Sequence, residues 1–487
     1  MMRLLAAMAV SAALVVAAPA PARAGVRPRY GGELRVLLPS SPAQLDPARA
    51  TSPADLVAVR AAHATLVEID DRGVLRPGLL EAVPEPEEGG RAWRLRLAPA
   101  LRFQDGQLVG AADVATSLSR LAGAGSAHAW LAAPIEGAAA VREGRASQLS
   151  GVHVLSEREL RIELSYPFPR FPEALAALPS SIVRIGSGGA PIGAGPFRPA
   201  GATDRGVRFA SFDGFHGGQP YPDALLLAGA DRPSAARALA SGAADVACRP
   251  EPVDGRSSLE TMPLGVVMAV VSRRLGPAAE PTRRALAALD RRDLTRLVAA
   301  PVVPLSDLLP PPLLPATAHR VPPSREVGAP PGKLNLLLPE GADAPRAAAA
   351  RIQVKLFDRG VRVVLETSPA AAFASRLASG DFDAALVPVW LVSRVPALAL
   401  AQIAAAAGGR ERGARALSQA AVADASTLPT IAAALEAELL AVPLYATALR
   451  ISVRDGVEGA WVRSDGTLEL GDLWLMPRTS GQVGATR

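Results

Sequence analysis

The spacing of hydrophobic residues changes repeatedly along this chain and predicts a mixture of strands and helices. The segment from Arg91 to Leu97 alternates, with Trp93, Leu95 and Leu97 on one face, which predicts a half-buried strand. From Pro53 to Leu66 the spacing is that of a helix, and Ser52 stands at its N-cap position. The first half of the chain therefore mixes the two kinds of element irregularly. Its other predicted elements are the strands Glu33 to Leu38, Arg161 to Leu164 and Val207 to Phe212 and the helix Ala111 to Leu121.

The second half of the chain alternates more regularly between strands and helices. Its predicted order is strand Leu334 to Leu338, helix Ala344 to Asp358, strand Val361 to Glu366, helix Pro369 to Ala378 and strand Asp383 to Val389. Helices of this length between strands indicate parallel strands joined by crossovers. Open sheets of this kind bind ligands beyond the carboxyl ends of their strands, where Trp390 and Arg394 follow the last strand.

The first 24 residues have the pattern of an export signal. Arg3 precedes an uninterrupted apolar run from Leu4 to Ala18, and small residues follow up to Gly25. This run is shorter than the roughly 20 residues that span a bilayer, which disfavours an uncleaved anchor. We therefore expect residues 1–24 to be a signal peptide cleaved before Gly25. The only cysteine is Cys248, so the sequence predicts no lipoprotein cysteine and a free periplasmic protein.

Length and charge narrow the possibilities further. A chain of 487 residues exceeds what one hydrophobic core usually serves, so we expect at least two lobes. The net charge of +6 falls to +4 when the signal peptide is removed with its two arginines. Basic residues are scattered singly and form no stripe for a phosphate backbone, so we expect no binding of nucleic acid.

No motif in the sequence predicts an enzyme, a metal site or a cofactor. None of the five histidines has a second ligand at metal-site spacing. Ser187 lacks the G-x-S-x-G frame of a hydrolase elbow. Gly193-Ala194-Gly195 lacks the third glycine of a dinucleotide loop and leads into extended chain. We therefore expect neither a metal site nor a cofactor, and a secreted hydrolase with an unrecognised site stays open as an alternative.

An ordered series of short motifs covers nearly the whole mature chain. It comprises Gly31-Gly32-Glu33-Leu34-Arg35-Val36, Leu45-Asp46-Pro47, Phe103-Gln104-Asp105-Gly106, Gly193-Ala194-Gly195-Pro196-Phe197, Gly380-Asp381-Phe382-Asp383 and Val442-Pro443-Leu444-Tyr445. In sequence and spacing, this series resembles the family 5 extracellular solute-binding proteins, the dipeptide, oligopeptide and nickel receptors of bacterial ABC importers.

The resemblance implies an α/β fold: the two-lobed periplasmic-binding-protein fold of class II, with an extra N-terminal subdomain and mixed sheets flanked by helices. Lobe I would comprise residues 25–265 and 447–487, with the subdomain inserted at about 50–185. Lobe II would comprise residues 266–446. The chain would cross between the lobes twice, and the ligand would lie in the cleft between them.

The resemblance also implies a function and a set of ligand-binding residues. The protein would capture a peptide or peptide-like small solute and deliver it to ABC permease membrane subunits, and we expect it to act as a monomer. A non-transport periplasmic sensor or chaperone on the same scaffold, with an atypical or degenerate site, is the alternative. The ligand-binding residues implied are Leu45, Asp46, Gly193, Gly195, Phe197, Trp390, Arg394 and Tyr445.

Several of these residues also have a purely structural interpretation. Asp46 stands before Pro47 and is suited to capping a turn. Trp390 and Tyr445 are each suited to a hydrophobic core, and Arg394 to a solvated surface. In peptide-binding members of the family an acidic residue commonly follows the tryptophan, whereas this chain has Arg394 and no carboxylate there. The sequence therefore favours a carboxylate or another anion over a peptide amino group at this position.

Overall fold

The computed structural model describes residues 27–253, 257–314 and 329–476. The predicted signal peptide and its cleavage before Gly25 lie outside these residues. In the described part of the chain, no helix is both long and apolar enough to cross a membrane.

One end of the molecule is built on a mixed seven-stranded sheet, which we call lobe I. The order of its strands is Phe197–Thr203, Gly206–Ser211, Ala224–Gly229, Glu33–Leu38, Val246–Arg249, Arg450–Val453 and Ser257–Glu260. Glu33–Leu38 is parallel to both of its neighbours and buries Leu34, Val36 and Leu38 completely or nearly so. Arg450–Val453 is antiparallel and brings the C-terminal part of the chain back to this sheet.

A subdomain follows the first helix of lobe I. Its antiparallel sheet has the order Pro86–Glu87, Ala92–Arg96, Glu159–Glu163 and Val152–Ser156. Trp93 and Phe171 pack in its core with their rings 6.0 Å apart. Its helices are Ala111–Ala122, Ala138–Arg142 and Phe171–Ala176, its 3-10 turns are Glu88–Gly90, Ala129–Ala132 and Leu178–Ser180, and its short strand pairs are Val67–Ile69 with Leu75–Pro77 and Arg184–Ile185 with Pro191–Ile192.

The other end of the molecule is lobe II, which is built on a six-stranded sheet. The order of its strands is Val302–Pro304, Ala441–Thr447, Gly265–Val271, Ala384–Trp390, Lys333–Pro339 and Arg362–Ser368. Lys333–Pro339 is parallel to both of its neighbours, and the helices Asp343–Phe357 and Ala370–Ser379 connect these three strands. The strand and helix alternation predicted for the second half is therefore confirmed.

The remaining elements include one helix whose predicted end was wrong. Helix Pro53–Ala62 begins as predicted, because the Ser52 side chain accepts a hydrogen bond from the Asp55 N–H. It ends four residues before Leu66, because His63 is extended and the Ala62 carbonyl accepts from other segments. The other helices are Arg232–Ser241, Ala279–Ala287, Arg291–Leu294, Pro396–Gly408, Arg410–Ala420 and Leu428–Leu439. Arg273–Ala278 is a 3-10 helix, and the last strand pair is Val457–Glu458 with Trp474–Leu475.

Two chain segments connect the lobes, one after Glu260 and one after Thr447. They are hydrogen-bonded to each other at the crossing. The Thr261 N–H donates to the Leu449 carbonyl at 2.9 Å, and the Leu449 N–H donates to the Thr261 hydroxyl oxygen at 2.9 Å. Paired crossings of this kind are suited to act as a hinge, because few residues have to change their dihedral angles.

A helical hairpin of lobe II, formed by Pro396–Gly408 and Arg410–Ala420, packs on the subdomain. Leu398 and Leu417 of the hairpin belong to the same buried cluster as Trp130 of the subdomain. At the edge of this contact, Arg142 forms a two-pronged ion pair with Glu411, with N–O distances of 2.5 and 2.9 Å. Lobe II and the subdomain therefore share part of one hydrophobic core.

Candidate functional site

Trp390 lies where the hydrophobic cores of lobe I, lobe II and the subdomain meet. Its partly buried indole packs against all three. Gly265 lets the ring approach the backbone closely, since a Cβ atom there would lie 2.5 Å from Cζ3 of Trp390. The chain after the tryptophan is fixed by buried Gln402, which donates to the Trp390 carbonyl at 2.7 Å and accepts from the Val392 N–H at 2.9 Å.

Arg394 follows on the same segment and reaches from lobe II towards the subdomain. It is partly buried between buried Ser393 and Val395. Its guanidinium Nη1 is 3.5 Å from the position that a Cβ atom of Gly73 would take, in the turn between two subdomain strands. Among the described residues, its side chain has no hydrogen-bond or ion-pair partner. Arg394 therefore presents an unneutralised charge beside the junction of the three cores.

Leu45 and Asp46 lie in a turn of lobe I that leads into helix Pro53–Ala62. Both carboxylate oxygens of Asp46 are engaged, because one accepts from the Ala48 N–H at 3.0 Å and the other pairs with Arg120 of the subdomain. The Leu45 carbonyl accepts a hydrogen bond from Nε2 of His63 at 2.8 Å. Asp46 thus caps the turn and ties it to the subdomain.

The segment with Gly193, Gly195 and Phe197 is buried in lobe I. A Cβ atom at Gly195 would lie 2.5 Å from the carbonyl carbon of Ala62, and one at Gly193 would lie 2.1 Å from the Ala62 oxygen. Phe197 is fully buried in the lobe I core. Both glycines are therefore required by the close approach of the end of helix Pro53–Ala62.

Gln104, from the predicted Phe103 to Gly106 motif, holds these segments together. Its side-chain Nε2 lies within hydrogen-bond distance of the carbonyls of Ala62, Gly195 and Phe197, at 2.8 to 3.1 Å. Its backbone N–H donates to the Gly193 carbonyl at 2.9 Å. One amide side chain thus satisfies carbonyls at a helix end and in a turn, where unpaired groups would be costly.

His63 is the residue on which Leu45 and Gly193 converge, and the sequence analysis did not single it out. Burial lowers the pKa of His63 to about 4, so the imidazole is neutral at neutral pH. Its Nε2 donates to Leu45, while its Nδ1 is buried without a partner in the described part of the chain. His63 contacts both segments only in the folded protein, so the sequence alone gives no sign of its position.

Tyr445 lies in the core of lobe II, apart from the other predicted residues. It is fully buried in a cluster with Leu336 and Leu386, and its hydroxyl has no partner among the described residues. Burial without a partner raises the pKa of Tyr445 above its ordinary value. Its role in ligand binding stays a prediction, as do the roles of the other seven residues.

The predicted residues therefore fall into separate groups. Leu45, Asp46, Gly193 and Gly195 surround His63 within lobe I, while Trp390 and Arg394 lie between the lobes. Within residues 27–253, 257–314 and 329–476, no group of three histidine, cysteine or acidic side chains is placed to hold a metal ion. Of the predicted residues, Arg394 is the side chain with an uncommitted charge, and Trp390 is the one shared by both lobes.

A pocket of about 670 Å³ lies where lobe I meets the subdomain, and we call it the junction pocket. Asp46 is part of its wall, together with Ala48, Arg49, Thr116, Ser119, Arg120, Gly123, Gly125, Ser126, Val141, Ala146, Ser147 and Gln148. Neither Trp390 nor Arg394 lines it.

Comparison with known proteins finds a family model that matches part of the chain. Residues 74–276 match the model described as bacterial extracellular solute-binding proteins, family 5 middle region. The periplasmic murein peptide-binding protein MppA of Escherichia coli K12 is 33% identical over 136 residues, which are 27% of this chain. That matched segment spans about a quarter of the length of MppA.

The fold agrees over a much longer stretch than the sequence. A structure of the Escherichia coli murein tripeptide-binding protein MppA has a TM-score of 0.78 at 18% identity, covering 92% of this chain and 99% of its own. The unliganded open form of that protein has a TM-score of 0.62, covering 91% and 97% at the same identity. Haemophilus influenzae OppA in complex with the peptide RPPGFSPFR has a TM-score of 0.77 at 15% identity, covering 93% and 100%. The match over residues 74–276 is therefore a similarity to the family 5 bacterial extracellular solute-binding proteins, and the solved structures, at 15–18% identity, show the fold that this chain shares with them.

Proposed function

We propose that this protein is the periplasmic receptor of an ABC importer, which captures a peptide or peptide-like small solute between its two lobes and delivers it to the membrane permease. The observation that carries the proposal is the position of Trp390. Its indole packs against lobe I, lobe II and the subdomain at once, beside the two paired crossings. A ligand there would touch both lobes and stabilise their closed arrangement.

The hinge explains how such capture would work. Among the described residues, only the segments after Glu260 and Thr447 join the two sheets, so the lobes can rotate without unfolding either of them. The TM-score against MppA is higher than against its unliganded open form, 0.78 against 0.62, which supports a closed arrangement of the lobes here. Binding would shift the population towards this form by the ligand's differential affinity for it.

Arg394 gives the cleft its charge. Its guanidinium has no partner among the described residues, whereas the carboxylates of Glu68 and Asp70, which precede the Gly73 turn in the chain, are paired with Arg463 and Arg76. Arg394 is therefore a positive charge without a partner in the described part of the chain, and a solute with a carboxylate opposite it would gain a bidentate ion pair.

The first test measures binding by the mature chain from Gly25 onward. Native mass spectrometry before and after unfolding and refolding detects a solute that co-purifies, and tri-alanine or agropinic acid is then titrated by calorimetry. The second probe is chosen because AgaA of Agrobacterium tumefaciens R10, at a TM-score of 0.74 and 20% identity, is bound to agropinic acid. We expect one bound solute per chain. No co-purified solute and no heat with either probe would argue for the sensor or chaperone alternative.

Charge reversal tests the role of Arg394 in the same assay. Arg394→Asp should weaken binding of an anionic solute by at least about tenfold, because a charged hydrogen bond contributes about 1.5–3 kcal/mol. Arg410→Asp is the matched control, since Arg410 is exposed on the helical hairpin and its side chain lacks a partner in the described part. Equal affinities of the two variants would remove Arg394 from the site.

Location, assembly state and partner complete the proposal. Export with cleavage before Gly25 predicts a mature N-terminus at that residue, which intact-mass measurement of the periplasmic protein checks. Light scattering coupled to gel filtration should give the mass of one chain. A pull-down from membranes should retain a permease; retention of a sensor kinase instead would favour the alternative.

A further inference from the structure

We propose that the junction pocket is a second binding site, separate from the interlobe cleft, for a small solute that carries carboxylate or phosphate groups. Its volume of about 670 Å³ lies within the range of small-molecule pockets. Its position between lobe I and the subdomain is also typical, because ligand sites are frequent at domain boundaries.

The pocket has a buried floor and an exposed rim. Asp46, Ala48, Ser119 and Ser126 are buried at its floor. The rim consists of exposed side chains from three separate segments, namely Arg49, Thr116, Ser147 and Gln148. The segments meet only in the folded protein, so the shape is fixed by tertiary packing and not by one flexible loop.

The polar groups of the floor are already satisfied by the protein itself. The Ser119 hydroxyl donates to the Ala115 carbonyl and accepts from the Leu149 N–H. The Ser126 hydroxyl donates to the Ala48 carbonyl and accepts from the His128 N–H. The two hydroxyl groups of the floor are therefore already hydrogen-bonded within the protein, and neither one lacks a partner that a ligand would have to supply.

The charge that remains in the pocket is positive. Asp46 is the only acidic residue of its lining, and its carboxylate is taken up by Arg120 and the Ala48 N–H. The same ion pair holds the Arg120 guanidinium in the wall through Nη2. Nε and Nη1 of Arg120 have no hydrogen-bond partner among the described residues. Arg49, at the rim, has no side-chain partner among the described residues and adds a second guanidinium.

These free groups select the chemical class of the ligand. Two guanidinium groups, the Ser147 hydroxyl and the Gln148 amide are available, and the charged ones only donate hydrogen bonds. Guanidinium groups pair with carboxylate and phosphate oxygens in a bidentate geometry. The pocket thus suits a small oxyanion with further polar groups, whereas a cation would meet uncompensated positive charge.

The test uses citrate and inorganic phosphate as probes for the two kinds of oxyanion, titrated into the mature protein by calorimetry. We expect one of them to bind at a single site. Ser147→Trp, which fills the pocket from its rim, should abolish this binding, and Arg49→Gln should weaken it by at least about tenfold. Ala112→Trp adds the same side chain to an exposed position outside the pocket, and Arg198→Gln removes an exposed arginine of lobe I elsewhere; both should bind as the wild type does.

The variants also separate this site from the interlobe cleft. Arg394→Gln removes any pairing of the anion with the interlobe cleft and should retain the binding that Ser147→Trp abolishes. Binding that survives Ser147→Trp, binding lost only in Arg394→Gln, or no binding of either anion at millimolar concentration would each overturn the proposal. The importer function is judged separately by the co-purified solute and the peptide arm, so either proposal can fail without the other. Unchanged circular dichroism of each variant verifies that it is folded.

Discussion

Replacement of Gly195 by alanine tests whether the glycine turn from Gly193 to Phe197 supports the fold or contacts a ligand. A Cβ atom at Gly195 would lie 2.5 Å from the Ala62 carbonyl carbon and from the His63 nitrogen. These are backbone atoms, so they cannot swing aside as a side chain would. The turn and the helix end would have to separate by about 0.5 Å before the contact reached even 3.0 Å, which is overpacking of a tight core.

The expected cost follows from two effects. Overpacking costs about 1–3 kcal/mol. The movement also lengthens the hydrogen bond from the Gly195 N–H to the Ala62 carbonyl, now 3.1 Å, which contributes about 1 kcal/mol. Gly195→Ala should therefore lower the free energy of unfolding by about 2–4 kcal/mol in urea denaturation followed by circular dichroism.

Gly188→Ala is the matched control. Gly188 lies in the preceding loop, and a Cβ atom there would meet nothing within 4 Å. We expect its free energy of unfolding to stay within about 0.5 kcal/mol of the wild type. The reasoning is refuted if Gly195→Ala is as stable as this control but loses affinity for the cleft ligand, since that result would make the glycine a ligand contact.

Three further predictions concern single residues. Trp130→Ala should cost about 3–5 kcal/mol in urea denaturation, because its ring fills the core shared with the helical hairpin; a loss below about 1 kcal/mol would contradict this. Burial, with a contribution from Asp307, raises the pKa of Glu436 to about 7. Between pH 4.5 and about 7 the folded protein therefore binds a proton that the unfolded chain has lost, and the free energy of unfolding should decrease as the pH rises through this range. Glu436→Gln should make the free energy of unfolding less dependent on pH in this range, and an unchanged pH dependence would contradict the raised pKa. Burial lowers the pKa of His63 to about 4, so stability should fall as the pH drops from 6.5 to about 4, and less so in His63→Asn; equal losses would exclude this role.

Local pattern was sufficient to predict much of the fold. The strand Lys333–Pro339 and its two parallel neighbours follow from short apolar runs separated by helix-length segments. The start of helix Pro53–Ala62 follows from Ser52, because a cap is a contact within one turn. Cys248 is buried in the core of lobe I, and burial raises the pKa of its thiol to about 12.

The candidate site was less accessible to sequence analysis, because its contacts join distant segments. Asp46 and Arg120 are 74 positions apart, and neither residue type nor spacing announces their ion pair. The sequence predicted that the glycine turn approaches another group closely. Only the structure shows that this group is the end of helix Pro53–Ala62. The packing of the alanine-rich helical hairpin on the subdomain is likewise not predictable from its sequence, because small residues indicate close packing but do not indicate which surface they contact.

Capture by closure of the two lobes is the central claim, and small-angle X-ray scattering tests it most directly. The mature protein is refolded to release bound solute and measured alone and with the solute that calorimetry identifies at saturation. The account predicts a smaller radius of gyration with solute, together with a change in Trp390 fluorescence that Trp390→Phe abolishes. Saturated binding with an unchanged radius of gyration would contradict it.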